Sequence, residues 1–399
     1  MSNLSIRKKY PNLDFEKLAK EYSLPLTDVY YFGLKGYGVK DIESRTGRPT
    51  FHIWDKHFLA SMTFPISNDN SPFEITGKKL LFLGEEIPLD YRFVYRMAEG
   101  PPSHYYLRGS PSLTPTIDDE LHINLDINHI CQGCDFCGNI RNPNRFENIT
   151  SNEAFDRIEK EIANPYYEKI KGMALVTGLF KTADDLVNEI IKLSKTMVKL
   201  NVGKLLFYIG FQIDPKRARI ISNILHEQGI KFRYSYTIEC FTDRQRIMHG
   251  IKGRKSMEEI FSTLESLNKC SIELLEYNYI PGLDMLKEFK TWASKLKDLA
   301  IPHISIFRPF FPEQRKICSN DFKKDPLMYL IEMRKIYDEM YPPIYGNQLA
   351  NLWTFPSDHL YKPYLTEKDN RKLIKKVLED NPIWSQYTTK KILPYAKLD

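Results

Sequence analysis

The segment KFRYSYTIE, residues 231–239, sets Ser235, Thr237 and Glu239 at every second position, with Tyr236 and Ile238 between them. Alternation with period two is the mark of a strand with two unlike faces. SIELLEYNYIPG (271–282) repeats the pattern with Glu276 and Asn278, and HINLDIN (122–128) repeats it with His122, Asn124, Asp126 and Asn128. Strands buried under helices on both sides read instead as near-continuous apolar runs. A sheet with one polar face fits a curled sheet around a polar lumen better than a flat, doubly wound one.

Working outward from these segments, strand and helix signals alternate from about 120 to 312. GMALVTG (172–178) precedes a helix starting near Ala183, and KLLFYIGF (204–211) precedes one opened by Asp214 and Pro215 and stopped at Gly229. An N-cap aspartate, proline at the first helical position and a terminal glycine together bound a helix. Thr150 with Glu153, and Ser256 with Glu259, have capping-box spacing ahead of EAFDRIEKEIA and MEEIFSTLESL. DMLKEFKTWASKL (284–296) and the strand HISIFRP (303–309) close the series. Six strands separated by five helices predict an α/β fold, a partial (β/α)6 parallel barrel.

The flanks differ. Residues 1–115 read as an α+β segment, with a helix in NLDFEKLAKEY (12–22) and strands around a turn in FEITGKKLLFLGEEI (73–87). A proline- and serine-rich connector, PPSHYYLRGSPSLTPT (101–116), leads into the barrel at 116–320. Residues 321–399 form a C-terminal helical extension, with a helix around Pro326–Met340 and another capped by Thr366.

The chain has 399 residues, is 42% hydrophobic and carries a net charge of +6 without a basic tail or block, which argues against a nucleic-acid partner. The first residues, MSNLSIRKKY, lack the apolar core of a signal peptide, and LLFYIGF (205–211) is too short to span a bilayer. A cytoplasmic protein with no membrane partner is expected. In a reducing compartment, clustered cysteines point to a metal or to catalysis.

Three of the six cysteines fall within CQGCDFCGN (131–139), as Cys131, Cys134 and Cys137. A structural zinc site needs four ligands, and here His129 is the candidate fourth. Ferredoxins use C-x2-C-x2-C for three irons of a 4Fe-4S cube. Three thiolates with one bare iron is the economical reading. Such an iron is an open Lewis-acid position. Cys240, Cys270 and Cys318 are scattered and read as small buried hydrophobes.

A three-cysteine loop after the first strand of a partial barrel, with Phe136 directly before Cys137, resembles the radical SAM superfamily. The first gap here is C-x2-C, one residue shorter than the usual C-x3-C. The resemblance spans about 121–312. It implies that Cys131, Cys134 and Cys137 hold a 4Fe-4S cluster, that S-adenosyl-L-methionine (SAM) chelates the open iron, and that Phe136 packs beside SAM. Thr177 and Gly178 match the segment that meets the SAM amino group through backbone. YTIECF places Glu239 at the carboxylate position, and MHGIKGRK places Lys252 or Arg254 opposite the SAM carboxylate. IPGLD (280–284) places Gly282 where backbone approaches the adenosine.

The activity so implied is reductive cleavage of SAM, followed by hydrogen abstraction from a small organic substrate in specialised or cofactor biosynthesis. Electrons would come from an external flavodoxin- or ferredoxin-type donor. No catalytic residue is singled out. The other reading of the same residues is a non-enzymatic iron–sulfur carrier or sensor. Plainer roles also exist: Glu239, Lys252 and Arg254 as solvated or paired charges, Glu276 and Asn278 bonded within the barrel wall, and His303 as a core histidine.

Overall fold

The computed structural model describes residues 13–41 (without 23 and 25), 48–63 (without 56 and 57), 71–96, 120–123, 133–137, 155–156, 159–160, 172–305 (without 177 and 202) and 312–340. The chain forms two compact units. One comprises Met1–Glu99, Pro281–Lys290 and Ser305–Asp399, the other Gly100–Ile280 and Thr291–Ile304.

The first unit opens with helices α1 (Phe15–Tyr22) and α2 (Leu26–Tyr37). Strands β1 (Lys40–Asp41), β2 (Arg48–Asp55), β3 (Phe58–Thr63), β4 (Phe73–Thr76), β5 (Lys79–Phe82), β6 (Glu85–Glu86) and β7 (Asp90–Arg96) follow. They make two sheets, β1-β4-β5-β6 and β3-β2-β7. The expected turn within FEITGKKLLFLGEEI is present: β4 and β5 are antiparallel, joined through Gly77 at φ 58. Phe15 of α1 holds helix to sheet, with ring centroids 5.6 Å from Phe73, 4.5 Å from Phe82 and 4.7 Å from Tyr30. Helix α2 has no counterpart in the sequence reading. Every residue from Thr27 to Lys35 is buried, so the helix has no amphipathic stripe to announce it.

The second unit carries β8 (Glu120–Ile123), β9 (Gly172–Val176), α3 (Ala183–Leu200), β10 (Leu205–Gly210), α4 (Pro215–Glu227) and β11 (Lys231–Glu239). The short helices α5 (Arg244–Ile247) and α6 (Ile251–Arg254) come next, then α7 (Met257–Leu267) and β12 (Leu274–Tyr279). Helix α8 (Leu286–Leu296) runs from the first unit into the second, and β13 is Ile301–Ile304. The predicted boundaries of β10, α4, β11 and α7 agree with these to within a residue or two. Asp214 and Ser256 cap as expected, and Thr182 with Asp185 adds a capping box ahead of α3. The box proposed at Thr150 and Glu153 lies outside the described residues.

All six strands are parallel, in the order β13-β12-β11-β10-β9-β8. Spatial order equals chain order, so each crossover steps in the same direction. Right-handed crossovers then leave every helix on one face. A doubly wound sheet needs a reversal of strand order, and there is none. Helices α3, α4 and α7 accordingly lie side by side in chain order. This is the α/β architecture of a partial barrel.

The two faces differ as the alternation predicts. Toward the helices lie Tyr208, Tyr234, Tyr236, Tyr277 and Tyr279, all fully buried; the Tyr234 hydroxyl donates to the Ile213 carbonyl beneath α4. The opposite face carries Phe207, Arg233, Ser235, Thr237, Glu276 and His303, and these are buried too. On this face the two buried charges pair with each other, while the Ser235 and Thr237 hydroxyls have no hydrogen-bond partner among the described residues. Arg233 donates from Nε and Nη2 to both Glu276 oxygens, each at 2.8 Å, and its guanidinium lies 4.0 Å from the Phe207 ring centre. His303 stacks on the same ring at 6.1 Å, the core role considered for it. Burial raises the Glu276 carboxyl above its ordinary value, and Arg233 opposes that rise.

The first unit ends with α9 (Pro312–Lys316), α10 (Asn320–Lys324) and α11 (Pro326–Met340), the last at the predicted place. Helix α11 packs on α2, where a Cβ on Gly36 would come within 2.8 Å of Pro326, and the Tyr37 hydroxyl reaches Asp325 at 3.2 Å. Residues 341–399, with the helix assigned after Thr366, lie outside the described residues.

Candidate active site

The C-terminal ends of β9 to β12 carry the functional candidates, the end at which parallel α/β sheets place their chemistry. Strand β11 leaves the sheet irregularly. Thr237 is in register with Asn278, but Glu239, two residues on, pairs with Tyr279, so one residue is extra. Such a bulge re-aims the side chain that follows it. Glu239 has φ 71, and the Cys240 amide donates to the Ile238 carbonyl at 3.0 Å. This is a γ-turn with positive φ, the rare and strained form. Strain of this kind concentrates at functional positions.

The Glu239 side chain is only 8% exposed and has both oxygens engaged. Lys252 Nζ donates to Oε1 at 2.5 Å, and Asn278 Nδ2 donates to Oε2 at 3.2 Å. Lys252 therefore stands at Glu239 itself. Arg254, the other cation considered, is exposed on α6. Phe211, just past β10, has Lys252 and Lys255 at 5.7 and 5.8 Å from its ring centre, and Lys255 donates to the Tyr236 hydroxyl at 3.0 Å.

The cysteine loop docks on the segment that leads to Lys252. Gly133 takes φ 82, and Cys134 then bridges antiparallel to Met248. The Asp135 amide donates to the Ile247 carbonyl at 3.0 Å, and the Cys137 amide to the Cys134 carbonyl at 2.7 Å. His249 Nε2 meets Asp135 Oδ1 at 2.9 Å. Cys134 is buried, Phe136 and Cys137 are half-buried, and neither cysteine is in a disulfide. Two soft thiols three residues apart on one tight turn suit adjacent corners of an iron–sulfur cube. Cys131, His129 and Thr177 lie outside the described residues.

Gly178 follows β9 and is half-buried. Its segment is held by a residue the sequence reading missed. Gln212 accepts from the Phe180 amide at 2.8 Å and donates to the Phe180 carbonyl at 2.9 Å. Arg244 was missed as well: its guanidinium is buried among backbone carbonyls. A basic residue in a loop carries no sequence mark of burial, so only the tertiary contacts reveal it.

Gly282 belongs to the first unit. Its φ is 95, its amide donates to the Tyr329 hydroxyl at 3.1 Å, and its carbonyl accepts from the Ser319 amide at 2.7 Å. An added Cβ would come within 3.0 Å of the Phe322 ring. The close backbone approach that calls for glycine is here an approach to Phe322. Cys240 and Cys318 are buried as expected, whereas Cys270 is half-buried.

No protein-family model matches the sequence, and no curated protein matches it. Among solved structures, part of the chain is similar to a crystal structure of HydG, a maturase of the [FeFe]-hydrogenase. Identity is 16%, coverage 55% of this chain and 50% of that one, and the TM-score 0.40. It is also similar to the FeFe-hydrogenase maturase HydG from Carboxydothermus hydrogenoformans, at 14% identity, 67% and 76% coverage and a TM-score of 0.39. The chain spans about half the length of the first of these structures.

Proposed function

We propose that this chain is a radical SAM enzyme that acts on a small organic substrate in specialised or cofactor biosynthesis. One observation carries the reading: the turn bearing Cys134 and Cys137 is paired, backbone to backbone, with the segment that delivers Lys252 to Glu239. Thiols and charged pair thus belong to one assembly at the C-terminal end of a parallel barrel.

In this reading Cys131, Cys134 and Cys137 hold a 4Fe-4S cluster, and Phe136 packs beside SAM. Thr177 and Gly178 meet SAM through backbone, Glu239 with Lys252 or Arg254 binds its amino-acid end, and Gly282 lies toward its adenosine. When bound, the cluster and SAM supply one-electron chemistry that yields a carbon radical. The chain's own part is to orient SAM and keep water away. Burial of Glu239 and Lys252 favours this, because charged contacts are stronger where water is excluded. A flavodoxin- or ferredoxin-type protein would supply the electron in the cytoplasm. Among the described residues no helix is long and apolar enough to cross a membrane.

The test is 5′-deoxyadenosine formation. The protein is reconstituted anaerobically with iron and sulfide, given SAM and a strong reductant, and compared with Cys134→Ala. The nucleoside from wild type and none from the variant is the expected result. A full, reducible cluster that neither binds SAM nor releases the nucleoside would make the chain an iron–sulfur carrier instead.

A further inference from the structure

The strained turn at Glu239 is hydrogen-bonded on both flanks by Arg244. Arg244 donates four hydrogen bonds to backbone carbonyls. Nη1 donates to Ile238 at 2.7 Å and to Cys240 at 2.5 Å, the two residues flanking Glu239. Nη2 donates to Lys252 at 3.0 Å, and Nε to Lys255 at 3.1 Å. The guanidinium therefore joins the end of β11 to the α6 region. The rigid planar fork can do this, while the point charge of a lysine cannot.

The same short stretch also carries the cysteine turn. The Met248 amide donates to the Arg244 carbonyl at 2.8 Å, and Met248 is the residue bridged to Cys134. Gly253 closes the arrangement: a Cβ there would fall 2.0 Å from the Met248 carbonyl oxygen and 3.0 Å from that of Arg244. One side chain and one glycine thus fold residues 244–255 into a compact knot. On one side it presents Lys252 to Glu239, and on the other a backbone edge to Cys134.

We propose that Arg244 is a positioning residue. It holds Glu239 in its positive-φ turn and holds Lys252 against it, so that the SAM-binding pair is formed before SAM arrives and in fixed register with the cysteine turn. This rests on the reading of Glu239 and Lys252 as SAM contacts. A conformation this uncommon persists only where its surroundings over-determine it, and Arg244 bonds both flanking residues.

The test compares wild type, Arg244→Lys, Glu239→Gln and the double variant, each reconstituted with cluster. Iron and sulfide content, SAM dissociation constant and residue-resolved amide hydrogen exchange are measured. Arg244→Lys is expected to keep its cluster and to weaken SAM binding by about tenfold, the scale of one lost charge-assisted hydrogen bond. Because Arg244 acts through Glu239, the double variant should bind SAM no worse than the weaker single variant. Exchange should quicken at the Cys240, Met248 and Asp135 amides and stay unchanged along β10 and β12.

Additive losses of SAM affinity would overturn the proposal, as would unchanged exchange at those three amides. If Glu239→Gln binds SAM like wild type, the SAM reading of the pair falls by itself. The exchange pattern of Arg244→Lys then still decides whether Arg244 holds the turn.

Discussion

Lys252 Nζ lies 2.5 Å from Glu239 Oε1, with the two side chains 14% and 8% exposed. They are thirteen residues apart in the chain and meet at the end of β11. A pair this dry is held by mutual compensation, so removing one partner costs more than removing both. Lys252→Met should lower stability by about 3 kcal/mol, and Glu239→Gln with Lys252→Met should recover part of that loss. Denaturant unfolding of the single and double variants checks the order.

Arg233 and Glu276 give a pH-dependent counterpart. Burial raises the Glu276 carboxyl above the 4.5 of an exposed one, while the charge and hydrogen bonds of Arg233 lower it. Arg233→Met leaves only the raising cause. A carboxyl raised in the folded state contributes stability that is present below its unfolded pKa and lost as pH rises through its folded pKa. The variant should therefore lose about 3–5 kcal/mol at neutral pH and much less in acid. Unfolding measured across that range checks the sign; a loss independent of pH would contradict it.

Gln212 fixes the segment after β9 through two hydrogen bonds to Phe180. Gln212→Ala should quicken exchange of the Phe180 amide by about 30-fold, the equivalent of roughly 2 kcal/mol. SAM affinity should weaken with it. Amide exchange and equilibrium dialysis measure the two effects separately.

The thiols should sort by environment. Cys137 is half-buried, whereas Cys318 is buried, its thiol pushed up to about 12 by that burial, with Sγ 3.5 Å from the Gln314 carbonyl. A buried, protonated thiol is inert. Iodoacetamide on cluster-free protein should label Cys137 and spare Cys318, and reconstitution with iron and sulfide should protect Cys137. Peptide mass spectrometry reads both results.

Tyr329 should matter to the IPGLD segment. Its hydroxyl accepts from the Gly282 amide and donates to the Asp284 carbonyl at 2.8 Å. Tyr329→Phe strands both groups in a buried place and should cost about 1–3 kcal/mol. Gly282→Ala should be worse, because φ 95 is strained for any side chain and Phe322 has to move. Thermal unfolding of the two variants gives the ranking.

The sequence by itself determined what is local. The alternation in 231–239 reported a strand with a polar face, and Asp214-Pro215, Ser256 and Gly229 marked helix ends because caps act within one turn. The succession of these elements implied a parallel sheet, and the polar alternation favoured a partial barrel over a doubly wound sheet. The cysteine cluster, with Phe136 beside it, was legible because residues that share one tight turn are close in sequence.

Only the tertiary structure decided which charges meet. Arg233 reads as one more basic residue until β12 brings Glu276 beside it, and Arg244 gives no sign that it binds carbonyls. Lys252 and Arg254 are two residues apart and alike in sequence, yet one is paired with Glu239 and the other is exposed. Helix α2 escaped for the related reason that burial on all sides erases periodicity. Pairing across strands and loops depends on distances that the folded backbone sets, and a linear order of residues does not encode them locally.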